Sequence, residues 1–162
     1  MAGVSLGDLL AEAKTQPLRG LLLEKASDED LAQLGGWPKL QTLSVSGTRI
    51  TDAGLTHLTE LKELQWLGLS SYKITDAGLA NLAGLENLEY LNLYGTEVTD
   101  AGVQSLAGLK NLKRLYVWQT KVTEEGQAKF KAAAPTVLLV PDIALEKKRA
   151  EIEAVRKAEA EA

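Results

Sequence analysis

A short sequence motif, Ile-Thr-Asp-Ala-Gly-Leu, determines the fold. It occupies residues 50–55 and recurs at residues 74–79. Val-Thr-Asp-Ala-Gly-Val follows at residues 98–103, and a degenerate copy, Val-Thr-Glu-Glu-Gly-Gln, stands at residues 122–127. The interval is 24 residues each time, without any insertion. A fixed period of this length is typical of solenoid proteins, in which each repeat packs mainly against its two neighbours.

The repeat divides the middle of the chain into four equal units: residues 37–60, 61–84, 85–108 and 109–132. A degenerate unit precedes them, because Ser27-Asp28-Glu29-Asp30-Leu31 falls one period ahead of Thr51. Outside the array of residues 37–132 we predict three further parts: an N-terminal cap with this degenerate first repeat (1–36), a C-terminal capping strand (133–141) and a charged helical tail (142–162).

Each unit contains two hydrophobic spacings that predict two different elements. In the second unit, Leu67 and Leu69 alternate with period two, which predicts a short strand, and Leu79 and Leu82 have helical spacing. A threonine stands where each helix begins and can cap it, and an acidic residue follows at the positive end of the helix dipole. These threonines are Thr51, Thr75, Thr99 and Thr123. Stacked units bury their apolar faces together, so we expect a parallel sheet on the inner curve and helices outside.

The spacing Leu64-x-x-Leu67-x-Leu69-x-x-Tyr72-x-Ile74 resembles the leucine-rich repeat, and the resemblance extends over residues 37–132. The variant is similar to repeats of planctomycete and verrucomicrobial bacteria and of F-box proteins. The resemblance implies a right-handed α/β solenoid with short parallel strands on the concave side and short helices on the convex side. The family's Asn or Cys position holds other residues here: Thr48, Tyr72, Thr96 and Thr120. We expect the threonine hydroxyls to bond a neighbouring turn, and we expect residues 70–72 to be locally rearranged, because tyrosine is too large for an inward slot.

The ends of the chain carry patterns expected of solenoid caps. Residues 4–16 are predicted to form a capping helix that begins with a Ser5–Asp8 capping box and ends at Pro17. Residues 20–23 and 136–140 are predicted as the first and last strands. The charged tail is expected to be a solvated spacer helix; the alternative is a coiled-coil arm, which the lack of sustained apolar heptads disfavours. Its abrupt end suggests a piece of a longer polypeptide.

Composition excludes several classes of function. The chain has 162 residues, a net charge of −4, no cysteine and one histidine, His57. This excludes disulfides, thiolate metal sites, cysteine nucleophiles and covalent c-type haem. The evenly mixed charge argues against nucleic-acid binding, and no apolar run is long enough to cross a membrane. Residues 1–10 lack signal-peptide features, so we expect a cytoplasmic location by default, or export if the chain derives from a longer precursor.

We expect neither a cofactor nor an enzyme, because the inventory of acids, bases and nucleophiles is thin. His57 is predicted to lie on the outer surface of a helix. The recurring aspartates, Asp28, Asp52, Asp76 and Asp100, invite a metal hypothesis, but helix capping already explains them. The recurring glycines at 54, 78, 102 and 126 are expected to allow close packing between neighbouring helices rather than to act as hinges.

Aromatic residues are concentrated at positions that point away from the predicted core. Five of the eight aromatics, with Asn92 and Arg114 beside them, form the predicted partner-binding set: Trp66, Tyr90, Asn92, Tyr94, Arg114, Tyr116 and Trp118. We hypothesise that packing does not account for them, and Trp, Tyr and Arg dominate binding hot spots; the alternative is that aromatics simply suit a sheet surface. Three functions remain open: recognition of a protein or peptide segment, carbohydrate binding on the same face, and a structural spacer within a larger bacterial protein.

Overall fold

A computed structural model describes residues 18–46, 49–71 and 73–161. The predicted capping helix at 4–16, together with Thr48 and Tyr72, lies outside the described residues. Within these ranges, six strands form one parallel sheet whose spatial order equals the sequence order. The strands are β1 (Gly20–Glu24), β2 (Thr42–Ser46), β3 (Trp66–Ser70), β4 (Tyr90–Asn92), β5 (Arg114–Tyr116) and β6 (Leu138–Val140).

Every strand is followed by a helix on the other side of the coil. The α-helices are α1 (Asp28–Ala32), α2 (Asp52–Leu55), α3 (Asp76–Leu79), α4 (Asp100–Ser105), α5 (Glu124–Ala133) and α6 (Ile143–Glu161). A short 3₁₀ turn continues each of the first four. This succession of strand and helix in parallel register confirms the predicted α/β solenoid.

The hydrophobic core is a continuous column of leucines between the sheet and the helices. Leu43, Leu67, Leu91 and Leu115 are register partners on neighbouring strands, and all are fully buried. Leu55 and Leu79 meet them from the helical side and are equally inaccessible. Because each unit contributes the same apolar positions, the core extends through the stack without a break.

Each short helix begins at the predicted threonine cap. The hydroxyl oxygens of Thr51, Thr75 and Thr99 accept hydrogen bonds from the backbone N–H two residues later, and that of Thr123 accepts from the Gly126 N–H. These bonds satisfy backbone donors that a helix of one or two turns would otherwise leave open at its start.

The recurring aspartates join one unit to the next, a role that the sequence did not predict. Asp52 Oδ1 accepts the backbone N–H of Thr75 at 2.8 Å, and its Oδ2 accepts the Thr75 hydroxyl at 2.6 Å. The same two bonds recur at every step: Asp28 to Thr51, Asp76 to Thr99 and Asp100 to Thr123. We call this series the Asp–Thr ladder.

The glycine three residues after each threonine of the Asp–Thr ladder makes room for the aspartate of the preceding unit, which confirms the predicted role of these glycines in close helix packing. A Cβ atom at Gly78 would lie 2.3 Å from Oδ1 of Asp52, and one at Gly102 would lie 2.1 Å from Oδ1 of Asp76. Any side chain at these positions would therefore displace the carboxylate that links the two units.

Where the repeat pattern degenerates, different contacts attach the tail helix α6. Gln127 replaces a core leucine and is buried. Its amide nitrogen donates to the Pro141 carbonyl at 2.9 Å, and its amide oxygen accepts the Ile143 N–H at 3.1 Å. Glu124, at the ladder's aspartate position, instead forms an ion pair with Lys147 of α6. The lost repeat signature thus marks a specific junction.

The turns after the strands differ from the expectation. The buried Thr96 hydroxyl donates to the Leu93 carbonyl of its own turn at 2.8 Å, and Thr120 does the same to Val117. The predicted bond to a neighbouring turn is therefore wrong for both threonines, because each hydroxyl donates to a carbonyl three residues back in its own turn. In the second unit Ser71 makes the link between units instead, because its hydroxyl donates to the Ile50 carbonyl at 2.9 Å.

Candidate binding face

One surface of the sheet is free of helices and carries the residues that alternate with the core. We call it the concave face, because strands lie about 4.8 Å apart whereas packed helices need about 8–10 Å. Its described strand residues are Gly20, Leu22, Glu24, Thr42, Ser44, Trp66, Gly68, Ser70, Tyr90, Asn92, Arg114, Tyr116, Leu138 and Val140. Tyr94 and Trp118 extend it beyond the ends of β4 and β5.

Five of the seven predicted site residues lie in two adjoining rows across the strands. Trp66, Tyr90 and Arg114 are successive register partners on β3, β4 and β5. Asn92 and Tyr116 are partners in the next row. The fold thus brings together residues that are 24 positions apart in the sequence.

Tyr94 and Trp118 lie past the strands rather than within them, which corrects the sequence-based placement. β4 ends at Asn92 and β5 at Tyr116, because the following backbone turns. The alternation of burial nevertheless continues: Leu93 and Val117 are buried, and Tyr94 and Trp118 are each 44% exposed. The Gly95 N–H donates to the Trp118 carbonyl at 3.0 Å, so the two aromatic positions are held side by side.

Trp66 is packed against the sheet by Gly68. A Cβ atom at Gly68 would lie 2.7 Å from the indole Cη2, so the ring covers this glycine. Gly68 is consequently buried although it belongs to the concave face. One face of the half-buried Trp66 ring therefore packs against the sheet. For that face, the hypothesis that packing does not account for the aromatic side chains is wrong.

Arg114 stacks on Tyr90, with its guanidinium carbon 5.7 Å from the ring centroid. This is within cation–π range, and Arg114 itself is exposed. In the described part of the chain no carboxylate forms an ion pair with Arg114. Glu89, which directly precedes Tyr90 in the sequence, is instead paired with Lys113, and this contact raises the pKa of the Lys113 ammonium.

A shallow pocket of about 640 Å³ opens on the concave face beside Trp66. Its lining is mostly apolar or hydroxylated: Gly20, Leu21, Leu22, Thr42, Ser44, Gln65, Trp66, Glu89 and Tyr90. Sequence reasoning missed this pocket. The available signal was the small outward residues Gly20 and Thr42 in the same row as the bulky Trp66 and Tyr90, since a step in side-chain size across neighbouring strands creates a hollow.

Charge is scarce on this surface. A quarter of the chain is charged, yet the described outward strand residues of the concave face carry charge at Glu24 and Arg114 alone, and Glu89 beside the pocket is paired with Lys113. The remaining side chains are aromatic, hydroxylated, amide or aliphatic. Because a surface that only has to stay soluble favours mixed charges, this depletion distinguishes the face from the rest of the molecule.

The other sequence-based candidates do not assemble into a site. His57 is exposed on the 3₁₀ turn after α2, as predicted. The recurring aspartates are engaged in the Asp–Thr ladder, and the hydroxyl and N–H of Thr123 lower the pKa of Asp100. Among the described residues no three His, Cys, Asp or Glu side chains come together as metal ligands. None of the helices in the described ranges combines the length and hydrophobicity that a membrane span requires.

A family model, leucine rich repeat, matches residues 38–98. The repeats are leucine-rich repeats. Solved structures agree: an internalin from Listeria monocytogenes superimposes with a TM-score of 0.65 over 80% of this chain at 23% identity. A second L. monocytogenes internalin superimposes with a TM-score of 0.54 over 67% of this chain at 31% sequence identity. A Leptospira interrogans LRR protein superimposes with a TM-score of 0.54 over 67% of this chain at 24% sequence identity.

This chain spans 36%, 44% and 27% of those three structures, respectively. A search of curated proteins found no match. Leucine-rich repeat domains generally serve as protein–protein interaction modules and are typically not enzymes. The fold therefore indicates the general class of function, and the partner has to be inferred from this chain's own surface.

Proposed function

We propose that this protein is a non-catalytic interaction module that binds an extended peptide or protein segment on its aromatic concave face. The observation that carries the proposal is the cluster of exposed aromatic side chains on a nearly uncharged surface. Trp118 and Tyr94 are each 44% exposed, and the pocket beside Trp66 is open to solvent. Side chains of this type supply large contact areas at low conformational cost.

The dimensions of the face suit an extended segment. Five strand intervals of about 4.8 Å separate β1 from β6, so the face is about 24 Å across. An extended peptide advances about 3.3 Å per residue, so seven or eight residues would cross it. The pocket volume lies within the range of ligand sites and can receive one or two side chains of that segment.

The position of the tail helix favours binding over the spacer hypothesis. Two polar contacts between described residues join α6 to α5: Lys147 pairs with Glu124, and Gln127 accepts the Ile143 N–H. These contacts hold the tail at the helical side and leave Tyr94 and Trp118 exposed. A spacer would have no need to keep large aromatic side chains open to water.

Peptide selection followed by alanine substitution tests the proposal. Peptides selected on the intact protein from a random phage-displayed library are measured against Trp66→Ala and Trp118→Ala. We expect each substitution to weaken binding by at least tenfold, because central Trp residues typically contribute about 2 kcal/mol or more. Leu145→Ala, which removes an exposed apolar side chain from α6, is the control and should leave affinity unchanged.

Two outcomes would reject the proposal. Unchanged affinity in both tryptophan variants would place recognition elsewhere on the molecule. Failure to select peptides, together with a glycan array that gives ligands quenching tryptophan fluorescence, would favour carbohydrate binding on the same face.

A further inference from the structure

Two features of the concave face are adjacent. The pocket beside Trp66 is open to solvent, and the exposed Arg114 has no acidic counterpart among the described residues. Tyr90 connects them, since its ring contributes to the pocket wall and also carries the guanidinium at 5.7 Å. A ligand that filled the pocket would therefore come within reach of the cation.

Building on the proposed function, we propose that the bound segment carries two anchors: an apolar side chain that enters the Trp66 pocket and an acidic side chain that pairs with Arg114. The guanidinium lies over the Tyr90 ring, and because Arg114 is exposed its N–H groups can reach a partner. A planar guanidinium matches a carboxylate in a two-bond geometry.

A carboxylate fits this site better than a phosphate group. Phosphate recognition by proteins generally uses clusters of arginines, whereas Arg114 is the single cation among the described concave-face residues. Lys113, next to it in sequence, is already paired with Glu89. The one uncompensated positive charge, on Arg114, therefore selects a partner with one negative charge at this point.

The spacing of the anchors follows from the register of the sheet. Trp66 and Arg114 are separated by two strand intervals, about 10 Å. An extended chain covers this in about three residues. The segment should consequently show an apolar and an acidic residue two to four positions apart, with small or polar residues between them.

A charge reversal tests the acidic anchor. Fluorescein-labelled peptides obtained by selection on the intact protein are measured by anisotropy with Arg114→Glu. We expect affinity to fall at least tenfold, and we expect it to recover when the acidic residue of the peptide is replaced by lysine. Arg149→Glu applies the same change to the exposed side of α6 and should have no effect.

The pocket anchor has its own test. Ser44→Leu narrows the pocket on β2 without touching the core, and should weaken binding at least tenfold for peptides with Phe or Trp at the apolar position and less for those with Ala. Urea unfolding of each variant should match that of the intact protein, which excludes a folding defect as the cause.

The outcomes separate this inference from the proposed function. Peptides that lose binding with Trp66→Ala but are indifferent to Arg114→Glu would overturn the two-anchor inference and leave the proposed function standing. Peptides indifferent to Trp66→Ala, Trp118→Ala and Arg114→Glu alike would overturn both, as would failure to select any peptide. Loss with Arg114→Glu that no lysine peptide rescues would overturn the acidic anchor.

Discussion

The two sides of the solenoid differ in what they repeat. On the convex side each unit contains nearly the same Thr-Asp-Ala-Gly sequence and the same pair of bonds from an aspartate to the next threonine. On the concave side no two units agree: successive strands present Thr42 and Ser44, Trp66 and Gly68, Tyr90 and Asn92, then Arg114 and Tyr116.

If the concave face binds a partner as proposed, this difference separates stability from recognition within one chain. Identical side chains in each unit are what a stack needs, because every interface between neighbours has the same geometry. A recognition surface needs different side chains at each step, because the ligand is different at each step.

We expect the largest loss of stability when a core leucine is shortened to alanine. The neighbouring residue on the same strand provides the control. Leu43→Ala should lower the free energy of unfolding by about 2–5 kcal/mol, because the side chain is fully buried and leaves a cavity. Thr42→Ala, one residue away on the concave face, should change it by about 0.5 kcal/mol or less. Urea denaturation followed by circular dichroism measures both. Equal losses in the two variants would contradict the assignment of the faces.

A smaller effect is expected from adding one methyl group to the convex side. Gly102→Ala places a Cβ 2.1 Å from Oδ1 of Asp76 and 3.1 Å from the backbone Cα of Asp76, so the Asp76 carboxylate that binds Thr99 must move. We expect a loss of about 1–3 kcal/mol, typical of overpacking. Gly108→Ala is the matched control, because a Cβ there meets nothing within 4 Å. The same denaturation assay distinguishes them, and a neutral Gly102→Ala would show that the ladder is not tightly packed.

The smallest predicted effect is a dependence on acid. The hydroxyl and N–H of Thr123 lower the pKa of Asp100 below its ordinary value of 3.8, and Lys129 adds to the shift. Its contribution to stability is therefore complete above about pH 4 and is lost as the pH falls through the lowered value. Asp100→Asn should weaken the fall of Tm between pH 5 and pH 2.

Part of that acid dependence should persist in Asp100→Asn, because Asp142 and Glu29 also have lowered pKa values. Trp118→Ala, on the concave face, should show the same dependence of Tm on pH as the unsubstituted protein. If Asp100→Asn had the same dependence of Tm on pH as the unsubstituted protein, the charge of Asp100 would contribute nothing to stability.

Most of the fold could be predicted because its signals are local and repeated. The period of 24 residues, the Leu-x-Leu spacing and the threonine caps each predict one element, and their recurrence removes ambiguity. The Asp–Thr ladder could not be predicted in the same way. Asp52 and Thr75 are 23 residues apart, and capping within a single helix explained each of them separately.

The candidate site was predicted as a set of residues but not as a shape. Alternation along the strands identified the outward side chains, including Trp66 and Arg114. The pocket depends on the indole lying over Gly68, a contact that requires coordinates. The turns that displaced Tyr94 and Trp118 beyond their strands also depend on backbone geometry that hydrophobic spacing does not specify.

The three tryptophans allow the most direct test of whether a peptide binds the concave face and not the convex side. Trp37 is buried at the start of the array, whereas Trp66 and Trp118 belong to the concave face. In ¹⁵N-labelled protein, a selected peptide should shift the indole N–H resonances of Trp66 and Trp118 and leave that of Trp37 in place. A peptide that binds and shifts Trp37 alone, or shifts only convex-side amides around the Asp–Thr ladder, would contradict the division between the two faces.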